Sequence, residues 1–289
     1  MSQLDLRGVH TALITPFRGG KLDIGAAQAL AKRQVDAGVQ GLVPCGTTGE
    51  TPTLDTAEWA QTIEIAVATA RGAKHKVLVT AGCGTNNTAS TVANIRGARA
   101  LGADLALVVL PYYNKPNPAG LRAHVAAACE VGLPVVLYHV PGRTAQHVPV
   151  GLLAELANIP GVAGVKEATG DIRYGSDLVE GTGACVLSGD DFTWLPLLSV
   201  GGQGVISVLS NVDPWRCVQL SKAAAAGDYA TAAKLHHAMM PLMRYLFAEV
   251  NPVPCKAAMA ALGLCENELR LPLAAGAAPP PALLDGLGS

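Results

Sequence analysis

The sequence predicts an α/β protein, a (β/α)8 TIM barrel followed by a small C-terminal helical domain. Three observations carry this reading. The chain has 289 residues, enough for the roughly 250 that such a barrel takes. Eight short, β-branched, near-continuously apolar runs recur along it, as parallel strands buried on both faces require. Helically patterned segments separate the runs, and that alternation fits a closed barrel better than an open sheet.

In chain order the runs are VHTALITPF (9–17), GLVPCG (41–46), KVLVTAG (76–82), DLALVVLP (104–111), PVVLYHVP (134–141), GVAGVKEAT (161–169), ACVLSGDD (184–191) and QGVISVLS (203–210). Asp23 is placed to cap a helix over 24–37, whose Ile24, Ala27, Leu30, Ala31 and Val35 share one face. Asp55 and Glu58 put negative charge at the start of the next helix, where the macrodipole favours it. Gly38, Gly102 and Gly132 follow helical stretches, as terminating glycines do. After the eighth run, 213–226 reads as the last barrel helix. DYATAAKLHHAMMPLMRYLF and PCKAAMAALGL then read as packed helices with no strand between them. The barrel is therefore assigned to 1–226 and the helical domain to 227–289. The last stretch, AAGAAPPPALLDGLGS, is expected to be a loosely held tail.

Composition narrows the function. A hydrophobic fraction of 50% with 15% charged residues excludes disorder. A net charge of −1 argues against a nucleic-acid surface. No uninterrupted apolar run is long enough to span a membrane, and MSQLDLRGVH lacks the pattern of a secretory leader. The seven cysteines are scattered without a C-x-x-C pair, so neither a disulfide framework nor a zinc site is indicated. The histidines form no H-E-x-x-H, no metal is expected, and His236 and His237 read as solvent-facing helix positions. GTTGE is too short for a phosphate-binding loop, so no nucleotide is implied. Asp190 and Asp191 read as turn or capping residues. A cytoplasmic protein without nucleic-acid or membrane partners is expected.

In a barrel of this kind, chemistry sits where the strands end. Of nine lysines, only Lys166 directly follows a buried-strand run, GVAGV. Lysine is rarely buried unless paired or working. One reading is a Schiff-base nucleophile, since only a neutral amine attacks a carbonyl and desolvation disfavours the ammonium. The others are a salt bridge or a phosphate anchor; Glu167 is a poor partner because adjacent strand residues face opposite ways. Tyr138, on the neighbouring run, could reach the lysine nitrogen and shuttle protons, or be a core tyrosine satisfied locally. Thr47 and Thr48 could hold a carboxylate with hydroxyls and amides, or simply make a turn.

Taken together, G-T-T-G-E (46–50), P-Y-Y-N (111–114), L-Y-H-V-P-G-R-T (137–144) and G-V-K-E-A-T-G (164–170) resemble the motifs of the dihydrodipicolinate synthase family. L-S-G-D-D (187–191), G-G-Q-G-V-I-S-V (201–208) and N-P-V-P-C-K (251–256) extend the match in order and spacing to about residue 272. The resemblance implies a pyruvate-dependent class I aldolase-type lyase that condenses pyruvate with L-aspartate 4-semialdehyde, a step of diaminopimelate and lysine biosynthesis. Lys166 would form the Schiff base and Tyr138 would be proton donor and acceptor. Thr47 and Tyr113 would complete a relay, Tyr113 reaching in from a neighbouring subunit of a homotetramer built as a dimer of dimers. Thr48 and the backbone at Ile206 would bind pyruvate, and Arg143 the carboxylate of the second substrate. No cofactor is implied, because the Schiff base forms directly with the substrate. A sibling lyase, such as N-acetylneuraminate lyase or a 2-keto-3-deoxy-sugar-acid aldolase, and a catalytically silent barrel are the alternatives. His139 stands where the family often has asparagine, and Ala145 where glycine is frequent. Ser90 stands where feedback-inhibited members carry a glutamate, so weak or absent inhibition by L-lysine is expected.

Overall fold

The computed structural model describes residues 4–287. Eight parallel strands form a closed barrel: β1 (Gly8–Ala12), β2 (Gly41–Val43), β3 (Leu78–Gly82), β4 (Leu105–Val109), β5 (Val135–His139), β6 (Val162–Glu167), β7 (Cys185–Ser188) and β8 (Gly204–Ser207), in the spatial order β1-β8-β7-β6-β5-β4-β3-β2. Helices alternate with them: α1 (Ile24–Ala37), α2 (Thr56–Arg71), α3 (Thr88–Ala100), α4 (Pro118–Cys129), the short α5 (Pro141–Thr144), α6 (Val150–Ala157), α7 (Ile172–Gly181), α8 (Trp194–Ser199) and α9 (Pro214–Ala225). Two further helices follow without an intervening strand, α10 (Tyr229–Leu246) and α11 (Val253–Ala261). This is the predicted fold class.

The residues form two compact units, Leu78–Ile206 with the N-terminal residues through Arg7, and Gly8–Val77 with the chain from Ser207 onward. In the first unit β5 and β6 pair with Tyr138 opposite Lys166 and His139 opposite Glu167; β6 and β7 place Leu187 and Ser188 opposite the same two β6 residues. Ile95, Leu105, Leu121, Leu137, Leu153 and Trp194 are fully buried around these strands. Leu6 is buried with them and lies against Gly164, where a Cβ would meet Leu6 Cδ1 at 3.1 Å and the Cys185 carbonyl at 2.8 Å.

In the second unit α1 is capped as expected: the Asp23 carboxylate accepts from the Ala26 N–H, and Gly38 ends the helix at φ 89°. Asp55 and Glu58 close a reciprocal capping box on α2. The first apolar run yields a shorter strand than its length suggests. Its end and the residues after it make a hairpin, Phe17–Arg18 with Lys21–Leu22, turning on Gly19 and Gly20 at φ 59° and 79°. Two further findings differ from expectation. The C-terminal stretch is anchored: Leu287 is buried and its carbonyl accepts from the Arg33 guanidinium at 3.0 Å. His237 is exposed on α10, but His236 is half-buried, and burial together with His237 pulls its pKa down.

Candidate active site

Lys166 and Tyr138 are brought together by strand pairing. Being in register on neighbouring strands, their side chains leave the sheet on the same face. Both are buried, at 5% and 6% exposure, and Lys166 Nζ lies 4.2 Å from the centroid of the Tyr138 ring. The amine therefore meets the ring face. Gly189, just past β7, makes room for the lysine stem: a Cβ there would sit 2.9 Å from Lys166 Cε, 3.0 Å from its Cγ and 2.7 Å from the Ala168 Cβ. The Gly189 N–H donates to the Glu167 carbonyl at 2.6 Å, which fixes this close approach.

The next row faces the other way. Glu167 is buried; its carboxylate accepts the Thr169 N–H at 2.6 Å, and burial raises its pKa. It does not pair with Lys166, as the alternation of strand residues requires. His139 is fully buried, its ring 5.7 Å from that of Tyr174 and 6.0 Å from that of His147. Burial, reinforced by His147, holds the His139 imidazole down to about 4. The Tyr174 hydroxyl donates to the Val148 carbonyl at 2.7 Å, and burial raises its pKa. Asp190 accepts the Phe192 N–H at 2.8 Å, the turn role read from sequence.

Arg143 lies exposed on α5, which follows β5 directly. Tyr113 is 87% exposed at φ 71°, beside the half-exposed Tyr112. Ile206 is buried in β8.

The second unit holds Thr47 and Thr48 in the loop after β2. Two non-glycine residues in the left-handed region bracket this loop, Cys45 at φ 57° and Glu50 at φ 51°. Within it the amides of Gly49 and Glu50 donate to the Gly46 and Thr47 carbonyls, and the Thr15 hydroxyl donates to the Gly49 carbonyl at 2.7 Å. Thr48 is buried and accepts a hydrogen bond from Asn251 Nδ2 at 2.9 Å. Glu50 meets Lys256 Nζ at 2.5 Å. Sequence reasoning missed Asn251, Lys256 and Gly189. The available signals were the N-P-V-P-C-K motif and a lysine inside the otherwise apolar PCKAAMAALGL.

A buried primary amine beside a phenol on the neighbouring strand can add to a carbonyl and move the protons that the addition requires. Among the described residues no group of three or more His, Cys, Asp or Glu is placed to hold a metal ion, and no helix is long and apolar enough to cross a membrane.

Comparison with known proteins gives this arrangement its context. A model of the dihydrodipicolinate synthetase family matches residues 5–278. A 4-hydroxy-tetrahydrodipicolinate synthase of Nitratidesulfovibrio vulgaris is 47% identical over 274 residues, 93% of each chain. The crystal structure of dihydrodipicolinate synthase from Thermotoga maritima superposes with a TM-score of 0.91 at 40% identity, covering 95% of this chain and 94% of the other. A monomeric dihydrodipicolinate synthase variant does so at 0.91 and 41%, covering 94% and 92%. A family model spanning nearly the whole length, with relatives this similar from end to end, makes the chain a member of the dihydrodipicolinate synthetase family.

Proposed function

We propose that the protein is a lyase that condenses pyruvate with L-aspartate 4-semialdehyde through a Schiff base on Lys166, the activity of a 4-hydroxy-tetrahydrodipicolinate synthase. The observation that carries this reading is the buried Lys166 amine held 4.2 Å from the Tyr138 ring on an adjacent strand. The Lys166 amine adds to the ketone carbon of pyruvate, giving a carbinolamine that loses water to the iminium. Tyr138 accepts and returns protons at carbinolamine formation, at dehydration and at the later carbon–carbon bond formation. Thr47 and Tyr113 extend that relay. Thr48 and the backbone at Ile206 hold the pyruvate carboxylate and its neighbouring atoms. Arg143 receives the carboxylate of the semialdehyde, which a guanidinium fork matches bidentately.

In this reading no cofactor takes part, because the electron sink is the iminium formed from the substrate itself. Residues 1–226 carry the chemistry, with 227–289 as a helical domain. The enzyme works in the cytoplasm as a homotetramer in which Tyr113 completes a neighbour's site. A coupled assay tests the substrate assignment: turnover of pyruvate with L-aspartate 4-semialdehyde is expected, and cleavage of N-acetylneuraminate is not. Turnover of the sugar acid alone would move the chain to the sibling lyases. No turnover of either, with no trapped pyruvate adduct, would mark a silent barrel.

A further inference from the structure

The N-P-V-P-C-K motif has no part in the chemistry above, yet both of its ends grip the G-T-T-G-E loop. Asn251, just before α11, donates from Nδ2 to Thr48 Oγ1 at 2.9 Å. Lys256, in the first turns of α11, meets Glu50 Oε1 at 2.5 Å. Lys256 is fully buried, donates also to the Glu268 carbonyl at 2.7 Å and has its Nζ 4.1 Å from the Phe17 ring centroid. The other Glu50 oxygen accepts the Arg270 N–H at 3.1 Å. Burying an ion pair is costly unless the charges find further partners, and here Lys256 also reaches the Glu268 carbonyl and Glu50 the Arg270 amide.

The loop needs an outside hold. Cys45 and Glu50 both sit in a backbone region that side chains disfavour, so the loop's own preference is to relax. The Asn251 bond also has a direction. Thr48 Oγ1 is the acceptor, which leaves the hydroxyl's own proton to be donated elsewhere. A donor is what a carboxylate asks for.

We infer that Asn251 and Lys256 are positioning residues for the substrate carboxylate: Asn251 sets the Thr48 hydroxyl as a donor, and Lys256, through Glu50, fixes the loop that presents it. This rests on the role proposed above for Thr48. The two claims separate in a double-mutant cycle read as KM for pyruvate and kcat, with melting temperature recorded for each variant.

Thr48→Val and Asn251→Ala are each expected to raise the pyruvate KM about tenfold, the scale of one well-made hydrogen bond, with a much smaller change in kcat. The double variant is expected to be no worse than Thr48→Val alone, because Asn251 acts through the hydroxyl that is already gone. Losses that multiply in the double variant, or an unchanged KM in Asn251→Ala, would overturn the inference while leaving Thr48 in place. An unchanged KM in Thr48→Val, in an enzyme that does turn over pyruvate, would overturn the parent role and this inference with it. Lys256→Met alone strands a buried carboxylate, so the loop arm uses Lys256→Met with Glu50→Gln, neutral on both sides. That pair is expected to melt cooperatively and to raise the pyruvate KM about fivefold or more; a wild-type KM would remove Lys256 from the inference.

Discussion

Lys166 is held by what its neighbours lack. Gly189 has no side chain, and the lysine stem and Ala168 occupy the space that one would fill. Gly189→Ala must push the stem aside, and overpacking of this kind costs about 1–3 kcal/mol. Adduct formation with pyruvate is expected to slow by about tenfold or more, read as the rate at which borohydride-trapped product accumulates. His139 makes a second prediction on the other face of the same strands. Its pKa is about 4 in the folded chain against 6.5 ordinarily, so the unfolded chain binds the extra proton. The stability this contributes is complete above about pH 6.5 and is lost as pH falls toward 4. Between about pH 8 and pH 5 the loss amounts to about 2 kcal/mol. His139→Asn is expected to flatten unfolding free energy against pH by that amount; an unchanged slope would place the dependence elsewhere. At this scale legibility depended on contrast. Lys166 stood out as a charge ending an apolar strand run. Lys256 is more deeply buried, but helices normally carry lysines on one face, so a single lysine in the apolar PCKAAMAALGL was a weaker signal than one ending a strand run.

The elements follow rules that a sequence shows well at helix ends and poorly at loops. Asp23, Asp55 with Glu58, and Gly38 mark their helices because capping depends on residues a few positions apart. The hairpin at 17–22 escaped because two-residue strands leave no periodicity, and the anchoring of Leu287 because it depends on Arg33, distant in sequence. Ala145 shows a departure from family habit acquiring a physical meaning. It ends α5 in the left-handed region at φ 54°, where a Cβ is strained and glycine is not. Ala145→Gly is expected to raise unfolding free energy by about 0.5–1 kcal/mol in a denaturant titration, the relieved strain exceeding the entropy that glycine loses. A lower denaturation midpoint would show that the loop pays nothing for alanine.

For the whole molecule, the alternation of apolar runs with helices predicted a parallel sheet, since parallel neighbours need crossovers and crossovers need helices, and the count of eight runs in a chain of this length favoured closing it into the barrel that is found. The face-to-face placement of Lys166 and Tyr138 depends on strand register, which alternation alone does not specify. Assembly is the property least visible in one chain, and the oligomer proposed above rests on Tyr113. A tyrosine 87% exposed at φ 71°, next to Tyr112, is an expensive surface for a lone subunit. Sedimentation is expected to show an oligomer, and Tyr113→Ala to reduce activity sharply; a fully active monomer would refute the shared site.

Lys166 as the nucleophile underlies every step proposed for this protein. Borohydride reduction in the presence of pyruvate, followed by peptide mass spectrometry, reads that residue out. The prediction is one adduct, on the peptide containing Lys166, absent from a Lys166→Ala protein that keeps its helical and strand content. An adduct on Lys256 or another lysine, or none on the wild-type enzyme, would contradict it.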